Sequence, residues 1–169
     1  KLALSGRVTV TVIGIIAAFL AVCGWLTLSH RTSAYESRRV AIRQLVEVGA
    51  AAVEHYVALE KQGVLTPEEA RRQAAETLKA LRYDTDQYFW INDTQHKMIM
   101  HPTSAAMVGK TLTDYKDPTG RAIFIEFVNI ATKQGAGLVE YQWAKPGSDV
   151  PEPKFSYVKH IPHWNWVVG

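Results

Sequence analysis

The longest apolar run of the chain extends from Val8 to Leu28 and contains no charged residue. As a helix, this run would be about 30 Å long, which is the thickness of the hydrocarbon core of a bilayer. A sequence of mixed polarity follows it to the end of the chain. The pattern predicts a transmembrane helix over residues 8–28 and a water-compatible domain after it.

A cleavable signal peptide is the alternative interpretation of this run. The apolar core of a signal peptide is usually about 7–15 residues long and precedes a small-x-small cleavage site. Here the run is longer, and residues 29–34 (SHRTSA) make a poor cleavage sequence. A retained membrane helix is therefore favoured. Basic residues lie on both sides of the run, so their count does not fix its orientation.

Two further helices are predicted after the apolar run. From Thr32 to Gln62 no proline occurs, and apolar residues recur at helical spacing. Gly63 follows as a glycine at a helix C-terminus should. Residues 66–69 (TPEE) supply a cap, a first-turn proline and a capping-box glutamate, which predict a second helix to about Leu81. The apolar stripe of the long helix is Leu45, Val46, Ala52, Val53, Tyr56, Val57 and Leu59.

Beyond Tyr83 the pattern changes to one that is typical of strands, with aromatic and branched residues between turn signals. Five strands are predicted over residues 87–92, 97–101, 138–143, 155–159 and 164–168, and a third helix over about 119–133. Strands joined by short hairpins are antiparallel, and such a sheet needs helical cover on one face. The sequence therefore predicts an α+β fold with one five-stranded antiparallel sheet.

The first hairpin holds the most informative side chains. A four-residue loop at residues 93–96 would pair Trp90 with Ile99 and Tyr88 with His101. Alternation then gives one face with Tyr88, Trp90, Ile99 and His101, and another with Phe89, Ile91, Met98 and Met100. The first face combines ring surface with polar donors, as a small-ligand pocket does. The alternative is that Tyr88 and Trp90 are ordinary core residues.

Lys159 is the candidate for binding a carboxylate. Alternation puts it on the same strand face as Tyr157, and a charge-assisted hydrogen bond is stronger than a neutral one. A solvated lysine at a strand end is an equally good interpretation of the spacing. Tyr141 could also contribute, but the long turn before residue 155 leaves the strand register open.

Charge and motif content argue against several other functions. The net charge of +3 arises in the first 43 residues, which carry six basic residues and one acid; the rest carries thirteen basic and fifteen acidic residues. The chain has no stripe of arginines with interleaved aromatic residues, which argues against nucleic-acid binding. The six histidines and the single cysteine, Cys23, lack metal-site spacing. No nucleophile elbow or phosphate loop occurs, so no metal, cofactor or catalytic residue is expected.

Several short motifs, in this order along the chain, resemble the single Cache domains (type 2) of bacterial chemoreceptors. The motifs are YFWIND at 88–93, MHP at 100–102, VGK at 108–110, VEY at 139–141, KPG at 145–147, PK at 153–154, SYVK at 156–159 and WNWVVG at 164–169. His96 stands where that family commonly has glycine, at the end of the first hairpin turn. A histidine can adopt the left-handed backbone angles of such a turn at some cost.

The resemblance implies that residues 32–169 form the periplasmic sensor domain of a methyl-accepting chemotaxis protein in the bacterial inner membrane. It implies a PAS-like sheet, a cytoplasmic segment at residues 1–7, lipid contact through residues 8–28, and a homodimer. A second membrane helix and a cytoplasmic signalling region would follow the last strand. The implied ligand is a small organic acid such as acetate, propionate, pyruvate or lactate. The implied pocket residues are Tyr88, Trp90, His101, Tyr141, Tyr157 and Lys159.

Other functions stay open at this point. The same sensor module could serve a membrane histidine kinase or a nucleotide cyclase. A membrane-tethered enzyme would need a nucleophile and base that the sequence does not display. A structural assembly protein would contain a collapsed pocket.

Overall fold

The computed structural model describes residues 4–84, 87–145 and 147–169, so residues 1–3 of the predicted cytoplasmic segment lie outside the described residues. The described residues form three α-helices, which are α1 (Leu4–Lys61), α2 (Pro67–Ala80) and α3 (Ile123–Gln134). Within the same residues the strands are β1 (Arg82–Tyr83), β2 (Gln87–Tyr88), β3 (Ile91–Asp93), β4 (Met98–Met100), β5 (Ala136–Ala144), β6 (Pro151–Ile161) and β7 (Trp166–Val168). Short 3₁₀ helices occupy Ala105–Met107 and Pro162–Trp164.

The chain divides into two compact units, residues 1–40 and residues 41–169. In the first unit α1 exposes large apolar side chains, among them Ile15, Phe19 and Trp25. Among the described residues, no helix has both the length and the hydropathy that a membrane crossing requires. The side chains of Val10 and of residues 27–34 lie outside the described set. The transmembrane helix over residues 8–28 therefore stays a prediction.

In the second unit a five-stranded antiparallel sheet has the order β4-β3-β7-β6-β5, which confirms the predicted α+β sheet. The predicted strand over residues 87–92 is instead divided. Its first part, β2, pairs with β1 in a separate two-stranded sheet, and its last part, β3, pairs with β4 and β7. Strand β6 begins four residues earlier than predicted, at Pro151, and this extension matters for the site.

The predicted register of the first hairpin is wrong because β4 contains a bulge. Ile91 pairs with Met100 and Asn92 pairs with Met98, so Ile99 has no partner residue in β3. An extra residue reverses the alternation beyond it. Ile99 and Met100 consequently face the same core cluster, whereas Met98 faces the other. His96 has the left-handed φ of +65° that the turn requires, as expected for a histidine in the place of glycine.

Helices cover both faces of the sheet, where the sequence predicted cover on one face. On one side α1 and α2 bury Val46, Val53 and Leu78 against sheet residues such as Ile91 and Val168. On the other side α3 buries an apolar stripe against β5, β6 and β7; the stripe is Ile123, Phe124, Phe127, Val128 and Ala131. Each face thus has its own core, and aromatic residues between the sheet and α3 can enclose a pocket.

The predicted ends of the first two helices are confirmed by their caps. Gly63 has a φ of +71° just after α1, and the Thr66 side chain accepts a hydrogen bond from the Glu69 backbone N–H at the start of α2. Near the end of α1, the Glu60 carboxylate accepts a 2.6 Å hydrogen bond from the Trp164 indole. This bond joins α1 to the 3₁₀ turn that leads into β7.

Candidate ligand-binding site

Aromatic rings between the sheet and α3 enclose a small cavity, here named the aromatic pocket. Its lining is Tyr88, Trp90, His101, Phe124, Phe127, Tyr141 and Trp143. Its volume is about 10 Å³, which is room for about one water molecule. Of these residues, the sequence predicted Tyr88, Trp90, His101 and Tyr141, and the structure brings these four side chains together.

The rings contact one another at tilted and edge-on angles. The centroids of Tyr88 and His101 lie 5.0 Å apart, those of Trp90 and Phe127 lie 5.3 Å apart, and those of Phe127 and Tyr141 lie 5.2 Å apart. These are favourable geometries for aromatic pairs. Trp143 lies 6.0 Å from His101 and 6.2 Å from Tyr141 between ring centroids, so these rings form one continuous wall.

The polar atoms of the tyrosine and tryptophan rings in the wall have hydrogen-bond partners. The Trp143 indole donates to the Tyr88 hydroxyl (3.1 Å), and the Trp90 indole donates to the Asn92 side-chain oxygen (3.1 Å). The Tyr141 hydroxyl shares a 2.9 Å hydrogen bond with Ser156. Burial raises the pKa of both Tyr88 and Tyr141. Both hydroxyls therefore stay protonated at neutral pH, so each can donate a hydrogen bond.

His101 is a neutral donor in this pocket. Burial, together with the positive charge of Lys154, lowers its pKa to about 4. Its Nδ1 accepts hydrogen bonds from the backbone N–H groups of Thr103 (3.3 Å) and Ser104 (3.0 Å). With Nδ1 as the acceptor, the proton of the neutral ring belongs on Nε2. The loop after β4 thus fixes the tautomer that can donate to an anion.

Lys154 brings a positive charge to the candidate site, a role that the sequence patterns did not predict. Its ammonium lies 4.6 Å from the centroid of the Tyr88 ring, which is a cation–π distance. Loss of solvent lowers its pKa to about 8. Among the described residues, no carboxylate lies within ion-pair distance of this ammonium. A half-buried ammonium with no counterion among the described residues is suited to bind an anion.

A second hollow lies on the other side of Tyr88 and Trp90 and is here named the lysine cleft. Its further lining is Ile42, Val46, Tyr83, Lys154, Ser156, Tyr157 and Gly169. Tyr88 and Trp90 line both the lysine cleft and the aromatic pocket. These two rings therefore lie between the lysine cleft and the aromatic pocket.

The placement of Lys159 corrects the prediction that it joins the pocket. Strict alternation along β6 turns Ser156 and Val158 toward α3, and Tyr157 toward α1 and α2. Lys159 shares the face of Tyr157, and its ammonium lies 3.9 Å from Glu54 of α1. Lys159 is therefore separated from the aromatic pocket, whereas Tyr157 reaches the lysine cleft. Lys154 and Lys159 are five positions apart along β6, so their side chains leave opposite faces of the strand.

Asp117 fixes the loop between β4 and α3 against the sheet. Its carboxylate accepts hydrogen bonds from the Thr119 hydroxyl (2.6 Å), from the Thr119 and Arg121 backbone N–H groups, and from the Gln142 backbone N–H (3.0 Å). Burial acts to raise the pKa of Asp117, but these hydrogen bonds outweigh it and lower the pKa to about 2. This hydrogen-bonded turn also explains why α3 begins at Ile123 and not near Thr119 as predicted.

We expect Asp117→Asn to lower the Tm by about 6 °C at pH 7, because the uncharged amide replaces a carboxylate that accepts four hydrogen bonds. The carboxylate stabilises the fold fully above about pH 4 and loses this effect as the pH falls toward 2. The difference in Tm should therefore shrink at pH 2.5. Thermal unfolding followed by circular dichroism measures this, with the exposed Asp114→Asn as the control. An equal change in both variants would contradict the role of Asp117.

A family model described as a Cache domain matches residues 26–169 of the chain. The chain belongs to the Cache domain family. The resemblance seen in the sequence motifs is thereby confirmed. The chain is 40% identical over 153 residues to the methyl-accepting chemotaxis protein McpP of Pseudomonas putida, and 36% identical over 102 residues to the sensor histidine kinase MctS of Rhizobium johnstonii. These alignments cover 90% and 60% of the chain, but only 28% and 22% of the two relatives.

Solved structures give the same assignment. One is described as the periplasmic sensor domain of a chemotaxis protein; it is 46% identical, has a TM-score of 0.77, and aligns over 78% of this chain and 92% of its own. Another is described as the structural basis for carboxylic acid recognition by a Cache chemosensory domain; it is 39% identical, has a TM-score of 0.77, and aligns over 79% and 91%. The Cache domain of this chain is thus of the chemosensory type.

Proposed function

We propose that this Cache domain binds a short-chain carboxylate and is the sensor region of a transmembrane chemoreceptor. The observation that carries the proposal is the half-buried Lys154 ammonium, which has no carboxylate partner among the described residues. A ligand carboxylate would supply the missing charge. His101 and the Tyr88 hydroxyl are neutral donors near it that could complete the coordination of the carboxylate oxygens.

The pocket size supports a sensing role. A cavity of about 10 Å³ holds one water molecule, so even acetate needs the surrounding rings to shift. Tyr88 and Trp90, which separate the aromatic pocket from the lysine cleft, are the rings whose movement would join the two hollows. A ligand that favours the joined arrangement changes the populations of two states, which is the requirement for a signal.

Isothermal titration calorimetry with the full 169-residue chain tests this proposal. The ligands are acetate, propionate, pyruvate and lactate, each compared with a neutral amide of similar shape where one exists, such as acetamide and propionamide. We expect acids to bind and amides to bind about a hundredfold more weakly, because only the acids supply the counterion to Lys154. Binding of no acid, or equal binding of acid and amide, would contradict the proposal.

The cellular placement is part of the same proposal. The apolar run at residues 8–28 would anchor the chain in the inner membrane, with the Cache domain in the periplasm and a homodimer formed through the long helices. The solved periplasmic sensor domain, which is 46% identical, supports the periplasmic location. Movement of β7 relative to α1 would transmit the signal across the membrane.

A sensor domain of a membrane histidine kinase is the second candidate. It is favoured by the 36% identity to MctS, over a shorter alignment than that with McpP. Placing residues 41–169 into each relative, in place of its own matching segment, distinguishes the two. Acid-dependent chemotaxis of the McpP chimera alone would support the chemoreceptor, and acid-dependent phosphorylation of the MctS chimera alone would support the kinase.

A further inference from the structure

The indole of Trp90 forms part of the wall of the aromatic pocket and also contacts Gly169, the residue that follows β7. The Trp90 backbone N–H donates to the Gly169 carbonyl (2.9 Å), and the Gly169 N–H donates to the Trp90 carbonyl (3.1 Å). Gly169 and Trp90 line the lysine cleft together. The residue that follows β7 is therefore joined by two backbone bonds to a residue of the pocket wall.

The absence of a side chain at Gly169 allows this close approach. A Cβ built at Gly169 would lie 2.7 Å from Cε2 of the Trp90 indole and closer still to Cζ2 and Cη2. Contacts of this length are excluded by van der Waals repulsion. The six-membered part of the indole thus lies directly against the backbone of Gly169.

The Trp90 ring has little freedom to move independently of Gly169. Only 5% of the residue is exposed, and the Phe127 ring lies 5.3 Å from it on the side of α3. Its Nε1 is bonded to Asn92. Any displacement of the backbone at Gly169 must therefore change the position of the indole, and a change in the indole must displace that backbone.

We propose that Gly169 is a positioning residue for the ligand pocket, and that ligand binding and the position of the end of β7 are coupled through the contact between Gly169 and the Trp90 indole. This inference rests on the proposed binding of a short carboxylate. The coupling needs no intermediate residue, because one side chain touches both the pocket and the backbone that follows the last strand.

The first test uses the unaltered chain labelled with ¹⁵N and titrated with propionate. We expect the amide resonance of Gly169 to shift with the saturation curve that calorimetry gives, whereas the amide resonance of Gly137, which lines neither hollow, stays in place. Binding of propionate without a shift at Gly169 would overturn this inference alone. If no carboxylate binds, the proposed function is overturned, and this inference with it.

The second test is Gly169→Ala, whose methyl group should push the indole toward Phe127 and narrow the aromatic pocket. We expect propionate to lose about tenfold more affinity than acetate, since the larger acid needs more of the space that is lost. The matched control is Gly137→Ala, where a Cβ would lie 2.5 Å from Cγ2 of Ile130. It should lower the Tm and leave the affinity ratio of the two acids unchanged.

If Gly169→Ala lowers the affinity for both acids equally, Gly169 acts only on stability, and the inference is overturned. Should this variant fail to fold, the resonance of Gly169 in the unaltered chain decides the question without it. The ratio of the two affinities is the decisive readout, because a general loss of stability lowers both affinities together.

Discussion

Replacing Lys154 with methionine is expected to weaken acetate and propionate binding by at least about a hundredfold, which removes detectable binding if the natural affinity is in the micromolar range. Methionine keeps an unbranched stem of similar length, so the contact with the Tyr88 ring is largely retained. What disappears is the one positive charge beside the pocket that has no protein counterion among the described residues. Calorimetry on the folded variant measures the loss.

Lys159→Met is the matched control for this experiment. The two lysines lie on the same strand, but the Lys159 ammonium lies near Glu54 on the opposite face. We expect its loss to change the affinity by less than about twofold, as for an exposed ion pair. A strong effect of Lys159→Met with a weak effect of Lys154→Met would show that the anion is bound beside Lys159 and Glu54, and not at Lys154.

The sequence predicted that Tyr88, Trp90 and His101 lie together, although the hairpin register behind that prediction is wrong. Residues 88 and 90 share a face by simple alternation, and this requires no pairing. His101 reaches them because the bulge at Ile99 and the break between β2 and β3 shift both segments. A bulge depends on tertiary packing and has no clear signal in these residues, so Met98 and Ile99 were assigned to the wrong faces.

Lys154 was missed for a different reason. Prolines at 151 and 153 suggested a turn, since proline removes a backbone donor from a strand. In the structure Pro153 pairs with Gln142 within the β5–β6 ladder, so the strand continues through it. Counting back from Ser156 by two residues would have given Lys154 the face of Tyr141. The long β5–β6 register that joins these residues depends on packing against α3, and local patterns do not contain that information.

We also expect the affinity for a carboxylate ligand to fall at high pH. Loss of solvent lowers the pKa of Lys154 to about 8, and only its protonated form attracts a carboxylate. We expect affinity to be nearly constant from pH 6 to 7 and then to fall about tenfold per unit above pH 8, roughly thirtyfold in all between pH 7 and pH 9.5. Three titratable groups near it do not change charge in this range: the pKa of His101 is about 4, that of Tyr83 is about 12, and that of Tyr88 is raised.

Calorimetry in buffers of different ionisation enthalpy measures how many protons the chain takes up when it binds acetate. Few protons should be taken up per acetate at pH 7, and nearly one at pH 9.5, because the ligand restores a proton that the free site has lost. Loss of affinity through unfolding at high pH is not expected from the titration of Lys154. The pKa of Lys154 is lower in the folded chain than in the unfolded chain, so between about pH 8 and 10.4 the unfolded chain binds more protons and this group makes the fold more stable as pH rises. An affinity that stays level up to pH 9.5 would mean that the carboxylate is held by the neutral donors alone, and that the ammonium of Lys154 is not its partner.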